Sequence, residues 1–196
     1  MKIILASSSP RRAEILRAAG ITFEICTPKH VDESVRPGES AQAMVARLAE
    51  TKARAAALQF AGHAAPCIVV GADTCVELAG EIFGKPLDAA HAGEMLAALS
   101  GQTHRVHTGI FLLRLPDGAQ RAAVETTAVT FAPLDAGEIA DYVACAEPMD
   151  KAGAYAIQGA AGRYITRLEG CYFNVVGLPL ARLYVLLREL GWPARS

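Results

Sequence analysis

Hydrophobic positions along the chain switch between two periods, and each switch marks a predicted element. Lys2 to Ala6 is a short apolar run that reads as a buried strand. Pro10 to Ala19 takes helical spacing, with Ser9 suited to the cap, Pro10 to the first helical position and Gly20 to the exit. A second helix, rich in Ala and Leu, runs from about Ser40 to Phe60, with Met44, Val45, Leu48, Ala55 and Ala56 on its apolar stripe. Cys67 to Gly71 reads as a buried strand ending in Ala72-Asp73-Thr74, and Cys75 to Leu78 with Glu81 to Phe83 as a hairpin around Ala79-Gly80. Asp88 to Leu99 is a helix stopped by Ser100-Gly101, and Arg105 to Leu115 pairs with Arg121 to Phe131 around Pro116-Asp117-Gly118. Asp135 and Glu138 set a capping box for a helix through Ala144. Arg163 to Leu168 and Tyr172 to Val176 predict another hairpin around Glu169-Gly170, and a last helix runs from near Pro179 to Gly191. Hairpins mixed with crossover helices predict an α/β fold with a mixed sheet, and no repeat or linker divides the chain: residues 1–196 read as a single domain.

Composition narrows the function classes. The apolar fraction of 52% and charged fraction of 20% are those of a globular protein. A net charge of −1 argues against nucleic acid as partner, because a backbone reader needs a positive excess. Cys26, Cys67, Cys75, Cys145 and Cys171 are odd in number and scattered, which fits free thiols in a reducing cytosol better than a disulfide framework or a structural zinc site. Polar Ser7, Ser8 and Ser9 follow the first strand too soon for a secretory segment. No stretch approaches the ~18 unbroken apolar residues of a membrane span. The expectation is a cytoplasmic protein without a membrane partner.

Six places carry candidate chemistry. Ser7-Ser8-Ser9-Pro10-Arg11-Arg12 joins a strand to a helix start, where free N–H groups and the helix dipole favour an anion. Two arginines are unfavourable for that helix end unless an anion offsets them. The Walker frame is absent, and a capped surface helix with two solvated arginines explains the segment equally well. Lys52 falls four residues after Leu48, roughly 40° around the axis from the apolar stripe, so it either snorkels or enters a polar site. Arg47, Glu50, Lys52 and Arg54 are otherwise a charged helix face. Asp73 stands at the expected carboxyl end of a buried strand, where α/β proteins collect ligands, although a turn-forming aspartate rivals that reading. Asp32-Glu33 sits in a loop, where paired acids face solvent unless a shared site with Asp73 claims Glu33. Gly84-Lys85-Pro86 offers a point-charge phosphate binder in a turn. Gln158, among glycines and apolar residues, has an amide suited to a base edge or to loop backbone. The histidines, His30, His63, His91, His104 and His107, show no metal-ligand spacing, and His104 and His107 read as strand residues.

These segments together resemble the Maf family of nucleotide pyrophosphatases over nearly the whole chain. The resemblance is carried by Leu5-Ala6-Ser7-Ser8-Ser9-Pro10-Arg11-Arg12, Val31-Asp32-Glu33, Lys52-Ala53 and Gly71-Ala72-Asp73-Thr74. Gly84-Lys85-Pro86, Leu99-Ser100-Gly101 and Val176-Gly177-Leu178-Pro179 complete it. It implies a fold like the inosine triphosphatases, a mixed twisted sheet with helices forming two lobes around a central cleft. It also implies a hydrolase dependent on a divalent metal (Mg or Mn), often a homodimer, that splits a nucleoside triphosphate into monophosphate and pyrophosphate. By the same resemblance Asp73 is the catalytic acid/base, Ser7, Ser9, Arg12, Lys52 and Lys85 bind substrate, and Glu33 and Asp73 hold metal.

Within the family, the branch acting on dTTP and UTP is similar to this chain at Pro10-Arg11-Arg12, Ala72-Asp73-Thr74 and Ile157-Gln158-Gly159. The branch acting on 7-methyl-GTP has Trp, Gln and Glu where Arg11, Thr74 and Gln158 stand. A cationic methylated purine favours an aromatic face and a carboxylate, whereas a neutral pyrimidine edge is met by an amide. The resemblance therefore implies a dTTP/UTP pyrophosphatase, with modified uridine triphosphates as further substrates. Two rival expectations are a house-cleaning pyrophosphatase for non-standard purines such as ITP and a nucleotide-sensing regulator linked to septum formation.

Overall fold

The structure, a computed structural model, describes residues 1–29, 31–60 and 65–193; His30 and His63 lie outside the described residues. The chain order is β1 (Lys2–Ala6), α1 (Pro10–Ala18), β2 (Phe23–Ile25), α2 (Ala41–Ala57), β3 (Cys67–Leu78), β4 (Glu81–Phe83), α3 (Ala89–Leu99) and β5 (Thr103–Leu115). It continues through β6 (Gln120–Phe131), α4 (Ala136–Ala144), β7 (Ile165–Glu169), α5 (Tyr172–Val176) and α6 (Leu180–Glu189). The sheet runs β2-β1-β3-β5-β6-β7, with β4 on β3. β1 is parallel to β2 and β3, whereas β3–β4 and β6–β7 are antiparallel, so the sheet is mixed as the hairpin pattern predicts. No helix among the described residues is long and apolar enough to cross a membrane. All five cysteines are free.

Contacts divide the chain into two compact units: Met1–Asp73 with Thr108–Glu125 and the segment from Gly177 on, and Thr74–His107 with Thr126–Val176. The first unit is built on β1, whose Ile3, Ile4, Leu5 and Ala6 are all buried, in the pattern of a strand covered on both faces. Helix α2 lies unusually close to the strands, and two glycines allow it. A Cβ at Gly71 would stand 2.1 Å from the Ala49 carbonyl oxygen, and one at Gly109 2.3 Å from that of Val45. Both obstacles are helix backbone, so α2 itself would have to move. We expect Gly71→Ala to cost about 3 kcal/mol, the upper part of the overpacking range. An unchanged urea midpoint would refute the close seat.

The second unit packs α3 and α4 around Leu96, Leu99, Val129, Phe131, Tyr142, Tyr155 and Tyr164. His104 on β5 stands edge-on to Phe131 and Tyr155, and its Nε2 shares a 2.7 Å hydrogen bond with the Tyr155 hydroxyl. Burial brings this imidazole from its ordinary 6.5 down to about 4. The unfolded chain therefore binds this proton first as the pH falls. The contribution to stability is complete above pH ~6.5 and lost progressively toward pH ~4, for a total of about 3 kcal/mol. His104→Gln should show a shallower loss of stability between pH 7 and 4.5 by urea denaturation. Equal slopes in variant and parent would contradict the assignment.

Several local expectations are corrected. Asp73 does not end a strand: β3 continues to Leu78 because Thr74 to Leu78 is β-prone and pairs with β4 through Val76–Phe83, Glu77–Ile82 and Leu78–Glu81. Ser9 makes no side-chain cap on α1; the Ser7 hydroxyl accepts the Ser9 N–H instead, at 3.2 Å. Tyr172–Val176 is a helical turn and not a strand, although its composition favours β. Thr127 Oγ1 donates to the Cys171 carbonyl and accepts its N–H, and the buried Asn174 amide donates to Val106 O and Thr127 Oγ1, both at 2.9 Å. That polar network overrides local propensity. The capping box of Asp135 and Glu138 forms as predicted.

Candidate functional site

The first unit gathers charge at the face that Gly71 opens. Side chains two apart on a strand share a face, so Asp73 points the same way as the absent Gly71 side chain, toward α2. On α2, Lys52 follows Ala49 by three residues and precedes Ala53, the pair that touches Gly71. Lys52 is 8% exposed and does not snorkel. Its Nζ donates to Asp73 Oδ1 at 2.6 Å and lies 2.9 Å from Glu33 Oε1. Glu33 stays exposed on the loop, and its carboxylate reaches in to share one ammonium with Asp73. A cation in a stripe of small apolar residues is offset here by the carboxylate oxygens that meet it.

Arg12 is the second buried cation. Its Nε donates to the Gly177 carbonyl at 2.8 Å and its Nη1 to the Ser7 hydroxyl at 3.0 Å. Burial pushes this guanidinium down, the Asp73 charge pushes back, Arg11 lowers it further and Glu33 raises it. Arg12 therefore lies within the field of both carboxylates and of Arg11. Ser7 is buried and Ser9 half-buried, so the strand-to-helix turn presents its polar groups on the same unit as Lys52 and Asp73. Gly177, in the Val176-Gly177-Leu178-Pro179 segment, has a concrete role, since its carbonyl fixes Arg12.

The loop that carries Glu33 is tied down by a residue that spacing alone leaves on a charged helix face. Arg47 donates Nε to Glu39 Oε1 at 2.6 Å, and Nη2 to Glu39 Oε2 at 2.7 Å and to the Ser34 carbonyl at 3.0 Å. The Arg47 guanidinium holds the Glu39 carboxyl down to about 2. The Asp32 carboxylate turns inward on the loop, accepting the Ser34 N–H at 3.0 Å. The same helix run thus divides its charges: Arg47 goes to the loop, Lys52 to the interior, and Arg54 to Glu50 and Gln120. Only the i,i+4 pair of Glu50 and Arg54 is readable from spacing.

In the second unit, Thr74 is half-buried on β3, Lys85 is exposed at a bend after β4, and Gln158 is exposed in a turn after Tyr155. His104 and His107 are buried strand residues, as expected; His107 contacts Thr126 Oγ1 at 2.9 Å and Glu77 Oε2 at 3.3 Å.

The oxygen donors of the first unit suit a hard divalent cation. Magnesium is commonly held by one or two carboxylates together with substrate phosphates and water rather than by a full protein cage. Asp73 and Glu33 supply two such carboxylates, and no group of three or more His, Cys, Asp or Glu side chains forms a metal cluster among the described residues.

A family model described as Maf-like protein matches residues 2–190. The chain belongs to the Maf family. Among its relatives is a protein from Anaeromyxobacter sp. (strain Fw109-5) named dTTP/UTP pyrophosphatase, 50% identical over 98% of this chain and 91% of that protein. Proteins of the same name from Symbiobacterium thermophilum and Carboxydothermus hydrogenoformans are 48% and 45% identical over 98% of this chain, and over 95% and 100% of their own lengths. A crystal structure of a nucleoside-triphosphatase / dITP/XTP pyrophosphatase from Mycobacterium abscessus is similar at 20% identity and a TM-score of 0.39, covering 69% of this Maf-family chain and 77% of the other.

Proposed function

We propose that the chain is a nucleoside triphosphate pyrophosphatase hydrolysing dTTP and UTP, and modified uridine triphosphates, to the monophosphate and pyrophosphate. The observation that carries this reading is the buried Lys52 ammonium bridging Asp73 and Glu33. It stands in a chain 45–50% identical to full-length relatives bearing that name.

A triphosphate brings about four negative charges, which must be offset before water reaches phosphorus. Arg11 and Arg12, at the amino-terminal turn of α1, meet phosphate oxygens along with the polar groups of Ser7 and Ser9. Lys52 stabilises charge that grows as the bond to the leaving group breaks. Asp73 orients the attacking water and takes its proton. The water oxygen bonds to the α phosphorus, the bridge from α to β phosphorus breaks, and pyrophosphate departs with the bridging oxygen. Glu33 and Asp73 would hold a divalent cation, Mg²⁺ or Mn²⁺, whose chemistry when bound is to neutralise phosphate charge. Lys85 is assigned to the phosphates, and Thr74 and Gln158 to the base. The reading takes residues 1–196 as one catalytic domain, working in the cytoplasm as a homodimer.

The test is release of pyrophosphate from dTTP, UTP, CTP, ITP and 7-methyl-GTP side by side, with Mg²⁺ or Mn²⁺ supplied. Preference for dTTP and UTP supports the proposal. Preference for ITP would replace it with a purine house-cleaning role, and tight binding without any product would replace it with a sensing role.

A further inference from the structure

Tyr142 on α4 and Glu147, just beyond it, form a hydrogen-bond chain outside the catalytic roles given above. Tyr142 is 1% exposed. Its hydroxyl donates to Glu147 Oε1 at 2.7 Å and accepts the Ala156 N–H at 3.2 Å. The second carboxylate oxygen, Glu147 Oε2, accepts the Ala160 N–H at 3.2 Å. Two backbone amides, one on either side of Ile157-Gln158-Gly159, are therefore tied to a single phenol–carboxylate pair. The Gly159 N–H closes the turn on the Ala156 carbonyl at 3.1 Å. Glu147 is itself anchored, because Lys151 Nζ donates to its carbonyl at 3.1 Å. Burial, followed by Glu147, pushes the Tyr142 phenol up, so it remains a proton donor.

Gly159 fits this arrangement through space and not through backbone freedom. Its φ of −105° is open to any residue, yet a Cβ there would stand 2.1 Å from Glu147 Oε1 and 2.3 Å from Oε2. The turn and the carboxylate are built against each other, and at the turn's tip stands an exposed glutamine. The turn is already closed by its own Gly159–Ala156 backbone bond, and the Tyr142–Glu147 pair adds a second, side-chain frame to it. A turn whose tip amide must meet a base edge in a fixed direction gains from a buried frame, because orientation made before binding is not lost to entropy on binding.

We propose that Tyr142 and Glu147 are positioning residues that hold the Ile157-Gln158-Gly159 turn, making this pair a determinant of the choice between pyrimidine bases. The proposal rests on the reading of Gln158 as the base-reading amide, and the experiment separates the two. The ratio of kcat/KM for dTTP over CTP is measured, with kcat, KM and Tm, for the parent, Gln158→Ala, Tyr142→Phe, Glu147→Gln, Glu147→Ala, Gly159→Ala and the Glu147→Ala/Gly159→Ala pair. Tyr142→Phe is expected to lower kcat/KM for dTTP about tenfold, mostly through KM, and to narrow the ratio, because it removes both the bond to Glu147 and the acceptor of the Ala156 N–H. Gly159→Ala is expected to act as strongly alone but to add little in the Glu147→Ala background, where its methyl meets no carboxylate. Should Tyr142→Phe fail to fold, Glu147→Gln, which keeps one acceptor oxygen, carries the same comparison.

A ratio lost in Gln158→Ala but kept in the Tyr142 and Glu147 variants overturns the proposal and leaves the base-reading role of Gln158 standing. So does a fall in Tm that slows every substrate alike. A ratio kept in Gln158→Ala itself overturns that role and the proposal with it.

Discussion

Asp73→Asn should lower kcat for dTTP and UTP about a thousandfold or more while leaving nucleotide affinity within a few-fold. The amide still presents an oxygen to Lys52, so the 2.6 Å contact has a replacement acceptor, and Glu33 continues to balance the ammonium. What the amide cannot do is take a proton from water. Loss of a positioned base alone is worth about 10²–10⁴ in rate. The variant should therefore remain folded, with a melting temperature near the parent's, and should bind nucleotide without turning it over. Full turnover by a folded Asp73→Asn protein would remove Asp73 from its proposed role.

Lys52→Met should have the largest combined effect, on stability and on catalysis. Its side chain and that of Asp73 are 10% and 11% exposed, so removing the cation leaves a carboxylate largely out of water without its partner. Breaking one side of a buried pair costs about 3–5 kcal/mol, and the remaining solvent access of Asp73 puts the expectation at about 3. A methionine of similar length keeps the packing against α2, so the loss reports charge and not a cavity. Turnover should fall by about a hundredfold or more, because the ammonium is proposed to meet charge that develops at the departing phosphate. Urea denaturation and steady-state kinetics read the two losses separately. Unaltered stability would mean that the ion pair is not an enclosed one; unaltered kcat would confine Lys52 to holding the fold.

The contrast between these variants explains what can be read from the sequence. Lys52 is visible there as a cation roughly 40° off an apolar stripe, yet helical spacing does not say where it goes. The answer depends on Gly71, whose missing Cβ lets α2 approach β3 and so brings Lys52 to Asp73. That close approach joins residues far apart in sequence, and no local pattern encodes it. The local reason that singles out Asp73 is wrong, since it lies inside β3 rather than at its end. The capping box at Asp135 and Glu138 and the β3–β4 hairpin obey their short-range signals, because residues a few positions apart decide them. Tyr172–Val176 departs from expectation for the opposite reason: the Asn174 amide bonds to Val106 and Thr127, distant partners that local propensity cannot anticipate. Arg47 and Gly177 likewise become legible only through their partners, the loop at Ser34 and Glu39 and the guanidinium of Arg12.

The most direct measurement is hydrolysis of dTTP by the unmodified protein in ¹⁸O-water, with the products separated and weighed by mass spectrometry. Attack on the α phosphorus deposits one labelled oxygen in the thymidine monophosphate and none in the pyrophosphate, which is the expected result. Label found in pyrophosphate or in inorganic phosphate, or no monophosphate formed at all, would contradict the reaction assigned to Asp73 and Lys52.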